Sequence, residues 1–127
     1  MEDNLSTENC EVLIAEDDQL VNWVIKEWVE ETGRTAYLAE NAVQALQMLQ
    51  SHSSIRIMVT DIHLPIIDGH ELIQEALALQ ANLKIVIMTG LADEGESSRK
   101  YPVLRKPFSA TELAEVLSQL CENKIPN

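Results

Sequence analysis

The sequence lacks the features that mark membrane, secreted and nucleic-acid-binding proteins. It has no apolar run long enough to span a bilayer, and its acidic, polar beginning is unlike a signal peptide. Lysine and arginine number 9 against 21 aspartates and glutamates, which gives a formal net charge of −12. Because such a surface repels phosphate backbones, we expect no direct nucleic-acid binding. We also expect no membrane association and a cytoplasmic location.

Cysteine is equally scarce. Cys10 and Cys121 are the only two, and their spacing fits neither a metal site nor a disulfide scaffold. We therefore predict that both are reduced and structural. The 127 residues suffice for one domain with a proper core, and we find no repeat, linker or low-complexity segment. We predict a single domain over residues 1–127, with a core at about 11–121 and a flexible stretch at 1–9.

Short apolar stretches alternate with stretches of helical periodicity along the chain. Strands are predicted at 11–15, 35–39, 55–61, 84–88 and 102–105. Helices are predicted at about 19–32, 42–51, 71–80 and 110–122, and at most a short helix at 92–101. Repeated alternation of this kind predicts a parallel sheet with helices on both faces.

The central stretch is residues 55–61, an apolar run rich in β-branched residues that ends at Asp61. It is typical of a strand buried on both faces. Pro65 and the pair Asp68-Gly69 are turn residues, so the chain leaves the sheet just after Asp61. Ligands of open α/β sheets bind at the carboxyl ends of the strands. A single aspartate there is most simply a solvated loop residue. Whether Asp61 has a functional role therefore depends on the residues at the ends of the other strands.

Four predicted strands end in polar residues that have chemical uses. These are Glu16-Asp17-Asp18 after the first strand, Asp61 in the third, Thr89-Gly90 after the fourth and Lys106 after the fifth. Parallel strands place all four ends at one edge of the sheet. Oxygen ligands without histidine or cysteine suit a hard cation, most plausibly Mg²⁺. An ammonium group and a hydroxyl beside it suit a phosphoryl group, so the pattern indicates phosphoryl transfer.

In this order, these motifs resemble the receiver domain of two-component response regulators, over about residues 11–121. The resemblance also uses Pro65, Asp68-Gly69 and the run Lys106-Pro107-Phe108. It implies a flavodoxin-like (βα)5 three-layer sandwich with a five-stranded parallel sheet in the order 2-1-3-4-5.

The resemblance also implies a Mg²⁺ site. Asp17 and Asp61 would ligate the ion directly, the backbone carbonyl of His63 would be the third protein ligand, and Glu16 would act through a metal-bound water. The run of three acids leaves a choice between Glu16-Asp17 and Asp17-Asp18 as the acidic pair. Because the apolar strand ends just before Glu16, we favour the first pair and assign Asp18 as the cap of the first helix.

The same resemblance implies an acyl phosphate on Asp61. Its carboxylate would attack a phosphohistidine of a sensor histidine kinase, a histidine phosphotransferase or both. Lys106 would contact Asp61 before the transfer and the phosphoryl group after it, through a chain whose Lys106-Pro107 bond is cis. Thr89 would be the switch hydroxyl. Self-dephosphorylation would return the domain to its starting state.

The segment between Thr89 and Lys106, which carries the response to phosphorylation in this family, departs from the family pattern. The segment between Thr89 and Lys106 is short, so the fourth helix of the family would be short or irregular here. Val103 stands three residues before Lys106, where the family usually has an aromatic residue, which places the usual threonine–aromatic coupling in doubt. Because the usual dimer surface is built on that helix, we expect a monomer. A receiver in which this segment is so short resembles those attached to hybrid kinases or those that act as stand-alone relays.

Three other functions compete with this interpretation. A phosphatase of the haloacid-dehalogenase type needs an aspartate two residues after the nucleophile, and His63 stands there. A flavin carrier needs a phosphate-binding loop after the first strand, where Glu16-Asp17-Asp18 would repel a phosphate. A receiver that is never phosphorylated and serves only as a protein interaction module stays open as the alternative.

Overall fold

A computed structural model describes residues 10–90 and 100–122 of the chain, and within it five strands form one parallel sheet in the order β2-β1-β3-β4-β5. The strands are β1 (Glu11–Ala15), β2 (Ala36–Ala39), β3 (Ile55–Asp61), β4 (Lys84–Thr89) and β5 (Val103–Arg105). The helices are α1 (Gln19–Glu31), α2 (Ala42–Ser51), α3 (Gly69–Leu79) and α4 (Ala110–Glu122). The predicted flavodoxin-like fold is confirmed. The predicted flexible start and the short helix near 92–101 lie outside the described residues, apart from residues 100 and 101.

The strand residues alternate between two apolar layers, one on each face of the sheet. Leu13 and Met58 point to the layer covered by α2 and α3, whereas Ile14 and Val59 point to the layer covered by α1 and α4. All four of these side chains are fully buried. Burial on both faces explains why the strands are continuous apolar runs. It also leaves the ends of the strands as the places where polar side chains reach solvent.

Side-chain caps determine where all four described helices begin, and the Asn41 side chain caps α2 by accepting from the N–H of Gln44 at 2.9 Å. The Asp18 carboxylate accepts hydrogen bonds from the backbone N–H groups of Leu20 and Val21, at 3.0 and 3.2 Å, so the predicted cap of α1 is confirmed. Ser109 and Glu112 form the reciprocal capping box predicted for α4. The Asp68 side chain caps α3, which therefore begins two residues earlier than predicted.

Two of the leucines predicted to point inward are exposed. Leu20 is 71% exposed, because the buried stripe of α1 runs through Asn22, Ile25 and Val29 instead. Leu79 is 47% exposed, because it is the last residue of α3 and lines an open cavity at the amino edge of the sheet. Exposed apolar side chains of this size leave room for a contact with another molecule.

The prediction that both cysteines are reduced is wrong. Cys10, just before β1, and Cys121, near the end of α4, form a disulfide with a Cα–Cα distance of 6.0 Å. They are 111 residues apart, and spacing alone gave no sign that they pair. The fold brings them together because β1 begins, and α4 ends, at the amino edge of the sheet.

Candidate functional site: an acidic pocket at the carboxyl edge of the sheet

Three carboxylates meet where β1 and β3 end, and we call Glu16, Asp17 and Asp61 the acid cluster. Each offers an oxygen atom that lies within 4.8 Å of those of the other two. The register explains this proximity, because the last residue of β1, Ala15, pairs with Thr60 next to Asp61. Glu16 and Asp61 are buried, whereas Asp17 is exposed. Two members of the cluster are therefore buried, and the third is open to solvent.

Lys106 provides a positive charge to this cluster. Its Nζ lies 2.7 Å from Asp61 Oδ2 and 2.8 Å from Glu16 Oε1. The lysine follows β5, and its backbone N–H donates to the carbonyl of Thr89 at the end of β4, at 2.7 Å. The predicted contact with Asp61 is present, whereas the contact with Glu16 was not predicted. One ammonium group beside three carboxylates still leaves the pocket negative.

Burial and pairing shift the pKa values of two of these groups. Removal from solvent raises the pKa of Glu16 above its ordinary value of 4.5, although Lys106 opposes that shift. Burial by itself would lower the pKa of Lys106, but its hydrogen bonds with Asp61 and Glu16 raise it above 10.5. The ammonium is shared between two carboxylates, so it does not offset the full desolvation of Glu16. A further cation would favour the ionised form of Glu16.

Both oxygens of Asp61 have hydrogen-bond donors. Oδ2 accepts from Lys106, and Oδ1 accepts from the backbone N–H of His63 at 2.9 Å. These contacts fix the orientation of the Asp61 carboxylate inside the pocket. The side chain of His63 itself is exposed. Thr89 is buried at the end of β4, on the strand next to β3.

Gly69 has a role in the site that its sequence context did not indicate. Its N–H donates to the carbonyl of Ile62 at 2.7 Å, so α3 begins directly beneath the end of β3. A Cβ atom built at Gly69 would lie 2.3 Å from the carbonyl oxygen of Asp61 and 2.8 Å from the Cα of Ile62. From the sequence, Gly69 was interpreted only as a turn residue. Its lack of a side chain is what allows this close approach.

We expect Gly69→Ala to lower the free energy of unfolding by about 2 kcal/mol, because the methyl group would displace the backbone of Asp61. Urea denaturation measures the effect. Gln74→Ala, at an exposed position of the same helix, is the matched control and should change stability by less than about 0.5 kcal/mol. Equal stability of the two variants would contradict the proposed steric role.

Asn22 was also missed in the sequence, although a polar residue on the buried stripe of α1 was a signal. Its Nδ2 donates to the carbonyl oxygens of Glu16 and Ala39, at 2.9 and 3.1 Å. The side chain is buried, and its Oδ1 has no hydrogen-bond partner among the described atoms. Asn22 thus ties α1 to the ends of β1 and β2. It positions the start of the loop that carries Glu16 and Asp17.

An apolar groove of about 620 Å³ lies next to Lys106. Its walls come from α1 and from the residues that follow Lys106, namely Leu20, Val21, Val24, Ile25, Trp28, Pro107 and Phe108. Trp28 and Phe108 pack edge to face with ring centroids 6.2 Å apart. The groove places an apolar surface beside the polar pocket.

The fold and the site together define a class of protein. It is a flavodoxin-like α/β domain with an acidic, lysine-paired pocket at the carboxyl edge of its sheet. None of the described helices is long and apolar enough to cross a bilayer.

Comparisons with known proteins identify the family. A sequence model of the response regulator receiver domain matches residues 12–118. The response regulator receiver protein CpdR of Brucella abortus is 29% identical over 114 residues, which cover 86% of this chain and 94% of that protein. The sensor kinase CckA of the same organism is 26% identical over 119 residues, which cover 89% of this chain. A crystal structure of a receiver domain protein from Clostridium thermocellum superposes with a TM-score of 0.83, at 21% identity, covering 91% of this chain and 96% of that one.

The chain belongs to the receiver-domain family of two-component response regulators, because the family model spans most of its length. Its relatives include proteins of very different size. The matched segment is 13% of the CckA sensor kinase but nearly the whole of CpdR. Receiver domains interact with histidine kinases and phosphotransfer proteins, and they generally bind Mg²⁺ at an acidic pocket.

Proposed function

We propose that Asp61 is the phosphoacceptor of this receiver domain. The observation that carries the proposal is the position of its carboxylate, which shares Lys106 with Glu16 and lies within the acid cluster. A carboxylate oxygen of Asp61 attacks the phosphorus of a phosphohistidine, the P–N bond breaks and the imidazole leaves. The product is an acyl phosphate on Asp61.

The acid cluster is proposed to hold Mg²⁺. Its donors are carboxylate oxygens, with no histidine or cysteine side chain in the cluster, and this set suits a hard cation. Asp17 and Asp61 are the proposed direct ligands, with the backbone carbonyl of His63 as the third and Glu16 acting through a water. Exposure of Asp17 leaves room for the waters that Mg²⁺ keeps. The ion supplies charge neutralisation for the incoming phosphoryl group.

Two further residues are proposed to hold the phosphoryl group. Lys106 already lies at Asp61 Oδ2, so its ammonium needs only a small movement to reach a phosphoryl oxygen on that carboxylate. Thr89, at the end of the neighbouring strand, is the proposed switch hydroxyl. Phosphorylation adds a charge of roughly −2, and this charge favours the movement of both donors toward Asp61.

The proposed switch lacks the usual aromatic partner. Val103 is half-buried in β5 and packs with Tyr101 against the apolar layer of α2 and α3. A small, β-branched side chain on a strand has little freedom to rotate between two states. We therefore place the response to phosphorylation at Thr89.

The test is incubation with Mg²⁺ and either acetyl phosphate or phosphoramidate, followed by intact-mass measurement. We expect one added phosphoryl group, and no adduct when a chelator replaces Mg²⁺. Slow loss of the adduct in Mg²⁺ buffer would measure self-dephosphorylation. No adduct under any condition would overturn the phosphoacceptor role and favour an interaction module that is never phosphorylated.

The proposed phosphoryl donor is a sensor histidine kinase, a histidine phosphotransferase or both. We propose that the donor docks in the apolar groove beside Lys106, which brings its phosphohistidine to Asp61. Leu20 is an apolar side chain of that groove that is exposed to solvent. The proposal also covers the whole chain: residues 1–127 form one receiver domain, monomeric and cytoplasmic, that binds neither nucleic acid nor membrane.

We expect Leu20→Ala to slow phosphoryl uptake from a phosphorylated histidine phosphotransferase by about tenfold, because an interface anchor is lost. Uptake from acetyl phosphate should not change, since that donor needs no docking surface. Val43→Ala is the matched control, an exposed apolar residue of α2 on the other face of the sheet. An equal effect of the two substitutions on transfer would show that the groove is not the docking site.

The raised pKa of Glu16 predicts a pH-dependent stability of the metal-free protein. The folded protein holds this proton more tightly than the unfolded chain does, so stability is lost as pH rises from 4.5 through the folded-state value. The raised pKa of Lys106 adds a constant contribution below 10.5, so it does not affect this range.

The measurement is urea denaturation of the wild type and of Glu16→Gln in chelator, between pH 4.5 and 7. We expect the wild type to lose stability relative to Glu16→Gln as the pH rises. Every other side chain is common to the two proteins, so the difference between them isolates Glu16. A difference that is flat, or that grows in favour of the wild type, would contradict the raised pKa.

A further inference from the structure

The amino edge of the sheet, opposite the acid cluster, carries a second chemical site. The disulfide between Cys10 and Cys121 lies there, and both residues are more than nine-tenths buried. Arg34, at 8% exposure, donates a hydrogen bond from Nε to the Sγ of Cys121 at 3.3 Å. A buried guanidinium thus lies directly against one of the two sulfurs.

Both sulfur-bearing residues also line an open cavity of about 1210 Å³. The charged side chains that the structure describes in its lining are Arg56 and Lys84, and both are exposed. No carboxylate occurs among the described lining residues. Among the described lining residues the charges are therefore all positive, in a chain with a net charge of −12. Such a lining favours an anionic small molecule over a cationic one.

We propose that Cys10–Cys121 is a thiol-exchange site that reacts with an anionic low-molecular-weight thiol entering this cavity, and that Arg34 directs the reaction by holding Cys121 as the leaving thiolate. The contact with Arg34 determines which sulfur leaves, because a positive donor stabilises negative charge on the sulfur that it touches. A sulfur that carries negative charge more easily is the better leaving group in exchange. In the cytoplasmic setting proposed above, such a bond would meet a pool of thiols.

The reduction of the disulfide proceeds in two exchange steps. The thiolate of one small thiol attacks Cys10 Sγ, the Sγ–Sγ bond breaks, and Cys121 leaves as a thiolate beside Arg34. A second small thiolate then attacks the small-molecule sulfur of the mixed disulfide on Cys10. This releases the small-molecule disulfide and the Cys10 thiolate. The protein gains two electrons, the two thiols lose them, and the protons that the thiols release equal those that the two cysteines take up from water.

Reduction should also change the stability of the fold. The bond joins the start of β1 to the end of α4 across 111 residues. Removing a link across so long a segment gives the unfolded chain more freedom. We expect the melting temperature to fall by about 10 °C on reduction, and Cys10→Ser/Cys121→Ser to show the same fall in the absence of thiol.

The first test uses glutathione, an anionic thiol, with its disulfide. The oxidised protein should show no alkylation of cysteine in intact-mass measurement, and two alkyl groups after reduction. Rapid acid quenching during reduction, followed by peptide mapping, should find glutathione on Cys10. Free thiols in the oxidised protein, or glutathione mainly on Cys121, would overturn the proposal. This measurement uses the wild-type chain, so it is decisive even if substitutions at Arg34 prevent folding.

The second test measures the equilibrium with glutathione in variants. We expect Arg34→Gln to shift the equilibrium toward the disulfide by about tenfold, because the reduced form loses a charge-assisted hydrogen bond. Arg34→Lys should recover part of this shift, since it retains the charge. An unchanged equilibrium in Arg34→Gln would overturn the role of the guanidinium.

The third test concerns the cavity. Arg56→Gln/Lys84→Gln should slow reduction by glutathione severalfold at low salt and leave reduction by cysteamine, a cationic thiol, unslowed. A parallel fall with both thiols, or no fall with glutathione, would overturn the proposed preference for an anionic thiol. The acid cluster lies at the opposite edge of the sheet, so acetyl phosphate labelling of the same variants tests the phosphoacceptor role separately.

Discussion

Asp61→Asn should abolish phosphoryl uptake from acetyl phosphate and from a phosphorylated histidine phosphotransferase. The substitution keeps the size of the side chain and retains an oxygen that can accept from the N–H of His63. It removes the negative charge that makes the group a nucleophile and a Mg²⁺ ligand. The expected result is therefore complete loss of the adduct in a protein that still folds. Circular dichroism tests whether the variant folds, and intact-mass measurement tests whether the adduct forms.

Asp68→Asn is the matched control for Asp61→Asn. Asp68 is also an aspartate of the loop after β3, but its side chain caps α3 and accepts from the N–H of Glu71 at 3.0 Å. Asparagine is nearly as good a cap, so this variant should fold and take up phosphate. An adduct that persists in Asp61→Asn, or that disappears in Asp68→Asn, would contradict the assignment of Asp61.

Lys106→Ala should affect both stability and reactivity. Its removal leaves Glu16 and Asp61, with side chains 2% and 11% exposed, without their shared cation. We expect the free energy of unfolding in chelator to fall by about 3 kcal/mol, since breaking a buried pair leaves an uncompensated charge. Phosphoryl uptake should slow on the order of 100-fold, because a donor to the transferred group is lost.

The same variant should respond more strongly to Mg²⁺ than the wild type. With the ammonium gone, the carboxylates no longer share their charge with a competing cation, so the ion should bind more tightly and restore part of the lost stability. Thermal melts across a Mg²⁺ titration measure the difference. Lys26→Ala, which removes a half-buried lysine paired with the exposed Glu30 on α1, is the control and should change little. Wild-type stability and wild-type uptake in Lys106→Ala would refute this description of the pocket.

The outline of the site was predictable because it depends on strand ends. Parallel strands that stop just before Glu16, at Asp61, at Thr89 and just before Lys106 must bring those residues to one edge, whatever the side-chain detail. The apolar runs that form the strands are buried on both faces, so their periodicity and their limits were clear in the sequence. The helix caps Asp18 and Ser109 depend on local hydrogen bonds, and these were predictable too.

The features that the sequence did not predict depend on contacts between distant parts of the chain. The bond from Lys106 to Glu16 joins residues 90 apart, and the disulfide joins residues 111 apart. The close approach of Gly69 to the carbonyl of Asp61 depends on where α3 docks, which no local pattern specifies. Leu20 lies off the buried stripe because a polar residue, Asn22, occupies it to hold two strand ends. Tertiary packing decides which face of a helix is buried, and helical periodicity alone does not.

Locating the phosphoryl group on the chain tests the phosphoacceptor assignment without any substitution. The protein is labelled with acetyl phosphate in Mg²⁺, and borohydride then reduces the acyl phosphate to an alcohol that survives digestion. Peptide mass spectrometry should find one modified residue, Asp61, converted to homoserine, and no modification when a chelator replaces Mg²⁺. Modification at Asp17 or at any other carboxylate, or an unmodified Asp61 in protein that carries the added mass, would contradict the assignment.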